Sequence, residues 1–299
     1  MGTTDFAQAS LRALLAAGHE VCAVCTKPDK ARKRGMKLSG TPVKAEAEAA
    51  GIPVLQPETL KSSEIQEKLR AYQAELFVVV AYGKLLPTEL LNMAKYGCVN
   101  VHGSLLPKYR GAAPIQWAVL NGEKEAGVTT MLLDEGMDSG AILESASVAL
   151  EPYESFGSVY ERLMRLGAEL LLHTVEGLQN GTIVPKAQDE ALVSYAPPIT
   201  KEFCPIDWSL SAEKIAAHIC GLSPKPGATA ELGGVVYKLF SPCVSDKTSD
   251  APGGTVAEQG KNGLEIVCGD GKLLRIKEIQ APGGKRMEAA AYLRGHKIV

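Results

Sequence analysis

Three polar residues near the middle of the chain could do chemistry together: Asn100, His102 and Asp138. Asn100 and His102 fall in the run Cys98-Val99-Asn100-Val101-His102, which reads as a short strand. Side chains alternate between the faces of a strand, so these two project from the same face. Gly103 ends the run, and Ser104-Leu105-Leu106-Pro107 reads as a tight loop with two apolar residues at its tip. Lys108, Tyr109 and Arg110 then lead to Gly111-Ala112-Ala113-Pro114, which opens a helix through Trp117. Asp138 lies downstream in the glycine-bracketed loop Asp134-Glu135-Gly136-Met137-Asp138-Ser139-Gly140. An amide, an imidazole and a carboxylate on neighbouring strand ends suit acyl transfer to an amine. The amide donates to a developing oxyanion, the imidazole moves a proton, and the carboxylate orients and charges the imidazole. A histidine alone is more often a satisfied structural group than a catalytic one, and it is the company of the other two that weighs against the plain reading.

These groups need a scaffold. Asp5 can cap a helix from Phe6 to Ala17, with Leu11, Leu14 and Leu15 on one face and Gly18 ending it. A strand from Val21 to Thr26 follows at once. A helix leading straight into a strand implies a βαβ unit, and its first strand belongs ahead of Gly2, so a segment upstream of Met1 is expected. Thr41-Pro42 starts a helix with proline at its first position, Ile52 to Leu55 is a short strand, and Ser63 to Tyr72 is amphipathic. Leu76 to Ala81 is a continuous apolar run, as expected of a parallel strand covered on both faces. Gly127 to Leu133 and Ala141 to Val148 are strands on either side of the aspartate loop. Ser155 to Leu166 and Ala168 to Leu178 read as two helices broken at Gly167, with His173 a structural residue in the second. Alternating strands and helices predict an open, mostly parallel α/β sheet of the Rossmann type. Ligands of such sheets bind beyond the carboxyl ends of the strands, where Asn100, His102 and Asp138 all fall.

From Thr182 to Pro205 the pattern loosens around Pro185, Pro197, Pro198 and Pro205, and this stretch reads as a linker. A helix from Ala212 to Cys220 follows, and then five short strands: Ala228–Leu232, Val235–Phe240, Gly254–Ala257, Leu264–Cys268 and Leu273–Ile279. Turn signals such as Asn262-Gly263 and Gly269-Asp270-Gly271 separate them, and an OB-like β-barrel fits. The expected layout is a catalytic domain over residues 1–181, a linker over 182–205 and a smaller barrel domain over 206–299.

Composition narrows the partners. With 299 residues, 45% hydrophobic and 22% charged, two soluble domains are the default. No window approaches the ~18 uninterrupted apolar residues of a membrane span, and the first residues lack the basic start and apolar core of a signal peptide, so a cytoplasmic location is expected. The seven cysteines are scattered. Cys22 and Cys25 sit three apart on a strand and point to opposite faces, which argues against a redox or zinc pair. No His and Cys spacing suits a metal, and none is expected. The net charge of −2 means that any nucleic-acid binding rests on local patches. One patch stands out between Lys27 and Gly40, where Lys27, Lys30, Arg32, Lys33, Arg34 and Lys37 face a single acid, Asp29. From Lys201 onward, 13 Lys and Arg stand against 11 Asp and Glu, too even a balance to mark that domain as a nucleic-acid binder by itself.

Asn100-Val101-His102-Gly103-Ser104-Leu105-Leu106-Pro107, with Gly136-Met137-Asp138-Ser139-Gly140 downstream, resembles the folate-dependent formyltransferases. The fuller run from His102 to Ala118 is similar to the branch of that family whose acceptor is initiator methionyl-tRNA, and the similarity extends nearly to both ends of the chain. The resemblance implies 10-formyltetrahydrofolate as donor, with Asn100, His102 and Asp138 as catalytic residues. It implies a folate side lined by Ser104, Leu105, Leu106 and Pro107, and a pterin pocket at Tyr82, Gly83 and Leu85, where backbone amides can read the ring edge. It assigns the basic loop, with Arg32, Lys33, Arg34 and Lys37, to the tRNA acceptor stem, Arg34 matching its key arginine. It makes the C-terminal barrel a tRNA-binding domain and the chain a monomer. Family members begin with an apolar strand running into a loop like Gly2-Thr3. The alternatives are a small amine acceptor such as a purine intermediate or an amino sugar, hydrolysis of the same donor, and a tRNA-binding protein without activity.

Overall fold

The computed structural model describes residues 1–31 and 38–298, and the chain divides into two compact units. The first comprises Met1–Gly111, Gly127–Val148 and Arg162–Tyr195, the second Ala112–Ala126, Ala149–Glu161 and Ala196–Val299.

In the first unit the helix Asp5–Ala16 buries Phe6, Leu11 and Leu14, as its periodicity requires. Its N-cap is Thr4, one residue before the expected cap. Asp5 is the first helical residue, and its carboxylate accepts from the Phe6 N–H at 3.0 Å. Thr41 caps the helix Pro42–Ala49 by accepting from the Lys44 N–H. The apolar run expected as a covered strand forms Phe77–Val79, parallel to Cys98–His102 in the register Val79 to Asn100. The strand Glu125–Leu132 pairs antiparallel to Cys98–His102, and Ile142–Ala149 completes this four-stranded sheet. Val24–Cys25 and Val54–Leu55 form a second, parallel pair.

Between the two sheets stand Met1 and Gly2. The Met1 amine donates to the Val78 carbonyl at 2.6 Å, the Val80 N–H donates back to the Met1 carbonyl at 2.9 Å, and the Gly2 N–H donates to the Cys25 carbonyl at 3.0 Å. Gly2 also bridges Val80 in parallel fashion. Two residues thus pair like the end of a strand. Ahead of them a groove of about 320 Å³ opens between the flanking segments, lined by Val21, Ala23, Leu76, Val78, Leu14 and Val175 among others. Burial there pushes the Met1 amine below its usual range.

Gly167 corrects an expectation. It does not break a helix but lies inside the single helix Phe156–Asn180. A Cβ on it would come within 3.0 Å of Val101 Cγ1 and 3.2 Å of the Phe6 ring. The glycine is there for close approach of helix to strand, and the continuous buried stripe Leu163, Leu171, Val175 outweighs the ~1 kcal/mol that glycine costs in a helix interior.

In the second unit the helix Ala212–Gly221, capped by Ser211, buries Ile215, Ala216 and Ile219 in a core shared with Leu239, Leu264, Ile266, Leu274 and Ile276. The five expected strands all form and pair antiparallel, in the order Ala228–Leu232, Val235–Thr248, Lys272–Gln280, Gly263–Val267, Val256–Gly260. The second of these runs past its expected end at Phe240. Ser241, at φ 52°, and Pro242 bend the strand, yet Phe240 still pairs with Glu278 and Pro242 with Ile276.

Candidate active site

Asn100 stands opposite Val79, the last residue of the parallel neighbour Phe77–Val79, and His102 ends the same strand two residues further on. His102 is buried at 6% exposure, with one ring nitrogen hydrogen-bonded and the other turned to a carboxylate. Nε2 lies 2.9 Å from the Tyr109 carbonyl oxygen. A carbonyl only accepts, so this nitrogen carries the hydrogen. Nδ1 therefore faces the Asp138 carboxylate, with Oδ2 at 3.6 Å. The loop that supplies the Tyr109 carbonyl turns through a left-handed backbone, φ 63° at Tyr109, which only a well-fixed loop sustains in a residue with a side chain.

That loop is fixed from several sides. Ser104, buried, donates its hydroxyl to the Lys108 carbonyl at 2.6 Å, closing the turn. The fully buried Thr129 donates to the Ser104 carbonyl at 2.7 Å and accepts from the Leu106 N–H at 3.2 Å. Leu106 is buried, while Leu105 lies over Gly127, where a Cβ would meet its Cδ2 at 2.3 Å. Pro107 is half-buried. The Tyr109 N–H donates to Ser194 Oγ at 3.0 Å and the Arg110 N–H to the Ser194 carbonyl at 2.8 Å.

Asp138 also sits in the left-handed region, at φ 51°. Its Oδ2 accepts from the Gly111 N–H at 2.8 Å, and so holds its place beside the imidazole through a backbone contact. The Asn100 side chain is half-buried, and its amide has no hydrogen-bond partner among the described residues. A polar side chain left without a partner on the same strand face as His102 is free to serve a ligand.

At the expected pterin pocket the Tyr82 ring is turned into the core at 2% exposure, its hydroxyl 3.4 Å from Cys25 Sγ. Burial, with help from that contact, drives the phenol pKa far up, so the side chain is a structural group, and the Tyr82 carbonyl accepts from the Thr3 hydroxyl at 3.3 Å. Gly83 turns at φ 67°. Leu85 is 79% exposed and Met137 60%, both on loops that a Thr88 to Glu135 hydrogen bond of 2.8 Å ties together. The residues Arg32, Lys33, Arg34 and Lys37 lie outside the described residues. His173 is on the surface, paired with Glu144 at 2.6 Å and apart from the site. Among the described residues no group of three His, Cys, Asp or Glu could hold a metal ion.

Two site residues escaped the sequence reading. Arg110 is charged yet only 4% exposed, and Gln188 lies in the stretch read as a linker. Only long-range contacts mark them.

Comparison with known proteins identifies the family. Residues 1–175 match the formyl transferase family and residues 198–297 the formyl transferase C-terminal domain. The chain belongs to the formyl transferase family. It is 50% identical over 298 residues to a protein of Desulfotalea psychrophila named methionyl-tRNA formyltransferase, covering all of this chain and 92% of that one. A protein of the same name from Lachnospira eligens is 46% identical, with 100% and 96% covered. Among solved structures, the sugar 3N-formyl transferase WlaRD, crystallised in the presence of dTDP and 5-N-formyl-THF, superimposes with a TM-score of 0.69 at 19% identity, covering 92% and 94% of the two chains. An N-formyltransferase of Helicobacter canadensis, in complex with folinic acid and dTDP-3-aminofucose, gives 0.68 at 18%, with 96% and 97% covered. At these identities the two structures speak to the fold alone.

Proposed function

We propose that this chain is a methionyl-tRNA formyltransferase, moving a formyl group from 10-formyltetrahydrofolate to the α-amine of methionine on initiator tRNA. The observation that carries the reading is the idle Asn100 amide beside a histidine whose Nε2 is committed to the Tyr109 carbonyl and whose Nδ1 faces Asp138. The amine attacks the formyl carbon and a tetrahedral intermediate forms. Asn100 donates to its oxyanion, an interaction worth about 3 kcal/mol by analogy with other oxyanion donors. With Nε2 occupied, the amine's proton goes to Nδ1, and Asp138 stabilises the imidazolium so formed. Collapse breaks the bond to the folate nitrogen, which takes that proton back as it leaves. The resident groups that frame this path are Ser104 to Pro107 on one side and the Tyr82-Gly83-Lys84-Leu85 backbone on the other, with the exposed Leu85 offering an apolar face to a flat ring.

The choice of acceptor rests on similarity of about half of all residues along the full chain, second unit included, to relatives named for methionyl-tRNA. It rests also on the basic loop, whose cations suit phosphates. The chain is read as acting as a monomer, in the cytoplasm. A labelled formyl donor supplied with Met-tRNA, with a nucleotide-linked amino sugar, with a purine intermediate, or with no acceptor tests this directly. Label in Met-tRNA alone is expected; label in the sugar, in the purine or in free formate overturns it. Arg34→Ala is expected to weaken use of Met-tRNA and to lower the salt sensitivity of binding, with folate affinity unchanged. A rise in the folate KM alone would instead place the loop on the donor side.

A further inference from the structure

Arg110 and Gln188 are joined to the aspartate loop by a set of hydrogen bonds that the proposed chemistry does not itself use. The Gln188 amide is divided between two tasks. Its Oε1 accepts from Arg110 Nε at 3.0 Å and from Nη2 at 2.8 Å. Its Nε2 donates to the carbonyl oxygens of Asp138 and Gly140, each at 2.8 Å. A guanidinium only donates and a carbonyl only accepts, so the amide fits in one orientation. Arg110 is 4% exposed, and its Nη2 is further held by Glu190 Oε1 at 2.8 Å. The next residue along, Gly111, gives its N–H to Asp138 Oδ2. The aspartate is therefore gripped twice, through its carbonyl by Gln188 and through its carboxylate by the Gly111 N–H, and the two grips lead back to the Arg110 guanidinium and the Gly111 backbone.

The grip answers a local strain. Asp138 is a residue with a side chain at φ 51°, a left-handed conformation that persists where the surroundings over-determine it. Gly140, two residues on, is packed so closely that a Cβ would fall 1.8 Å from the Leu132 carbonyl oxygen. Without the Gln188 donors, two carbonyls lose their partners and the turn is free to relax. Relaxation would move Oδ2 away from His102 Nδ1, which it faces at 3.6 Å with no direct hydrogen bond to hold the pair.

We infer that Gln188, oriented by the buried Arg110 guanidinium, is a positioning residue that holds Asp138 in the left-handed turn placing its carboxylate against His102. This rests on the role proposed above for Asp138. Gln188→Ala should lower kcat by ~10–10²-fold, with KM for Met-tRNA and for the formyl donor held within about twofold, since misplacement near 1 Å is enough for such a loss. Gln188→Glu keeps a partner for Arg110 but sets carboxylate lone pairs against two carbonyls, so it should fall at least as far as the alanine variant. In an Asp138→Asn background, Gln188→Ala should cost less than about threefold more, because it acts through a group already disabled. Recovery of more than half the wild-type rate by Gln188→Glu would overturn the inference by reducing Gln188 to a counter-group for Arg110. Losses that multiply in the double variant would overturn it too, marking a general effect on folding. An Asp138→Asn variant as active as wild type would instead remove the proposed site reading itself, and the inference with it.

Discussion

His102 has one nitrogen bonded to a peptide carbonyl and the other turned to a carboxylate. The first contact, at 2.9 Å, occupies Nε2, and it leaves the 3.6 Å gap at Nδ1 as the place where a proton can arrive. Asn100 differs, because its side-chain amide has no hydrogen-bond partner among the described residues. Removing it should therefore leave the fold alone and show only in the chemistry. Asn100→Ala is expected to lower kcat by ~10²–10³-fold with the melting temperature unchanged. His102→Ala should cost ~10²–10⁴-fold while tRNA affinity is unaffected. Steady-state kinetics alongside a filter-binding measurement checks both. An Asn100 variant with half the wild-type kcat would show that the oxyanion is held elsewhere.

Elements explain why these residues meet. The helix Phe156–Asn180 comes close to the strand Cys98–His102 only because residue 167 has no side chain. Val101, which Gly167 touches, lies between Asn100 and His102. Gly167→Val would force the helix outward against both Val101 and Phe6, a clash of the kind that costs about 1–3 kcal/mol, and should lower kcat as well as stability. Denaturant unfolding together with kinetics tests the coupling, and a variant that loses stability but keeps its rate would break it. In the second unit, the helix Ala212–Gly221 holds the half-buried His218 near Phe203, with ring centroids 5.2 Å apart. Burial holds this imidazole below its ordinary value of 6.5, partly countered by the Cys204 carbonyl. The unfolded chain thus takes up a proton first as pH falls. Stability present above pH 6.5 is lost as pH drops through the lower folded-state value. His218→Gln should flatten this part of the stability profile between pH 7 and pH 5, measured by urea unfolding at ~0.5-unit steps.

On the scale of the whole molecule, the first unit's sheet is joined at one end by Met1 and Gly2 and parted at the other by the groove of about 320 Å³. The join leaves no room for a side chain at residue 2, where a Cβ would fall 2.4 Å from Ala7 Cβ and 2.9 Å from the Val80 carbonyl oxygen. Gly2→Val is expected to push the helix Asp5–Ala16 and the strand Phe77–Val79 apart and to lower the melting temperature. Thermal melts of the two forms check this, and equal melting temperatures would show that the join tolerates a side chain.

Much of this was legible in the residues themselves. Apolar periodicity placed the longer helices and strands of both units, because burial on one face leaves a repeat of two or 3.6 residues in the chain; short elements such as Thr88–Leu91, Tyr195–Ala196 and Ala289–Leu293 carry too few residues for a repeat. Asn100, His102 and Asp138 could be read as a set, since an amide, an imidazole and a carboxylate between glycine turns have few structural reasons to occur together. What could not be read were contacts that cross long stretches of chain. Nothing local says that Gly167 is a packing surface and not a helix end, because the residues it meets are Phe6 and Val101. Nothing local says that Gln188, in a proline-rich stretch, bonds Asp138 and Arg110, 50 and 78 residues away. Side-chain pattern is a property of neighbours along the chain. The strained turn at Asp138, the committed Nε2 of His102 and the orientation of Gln188 are properties of neighbours in space, and only the folded chain brings those together.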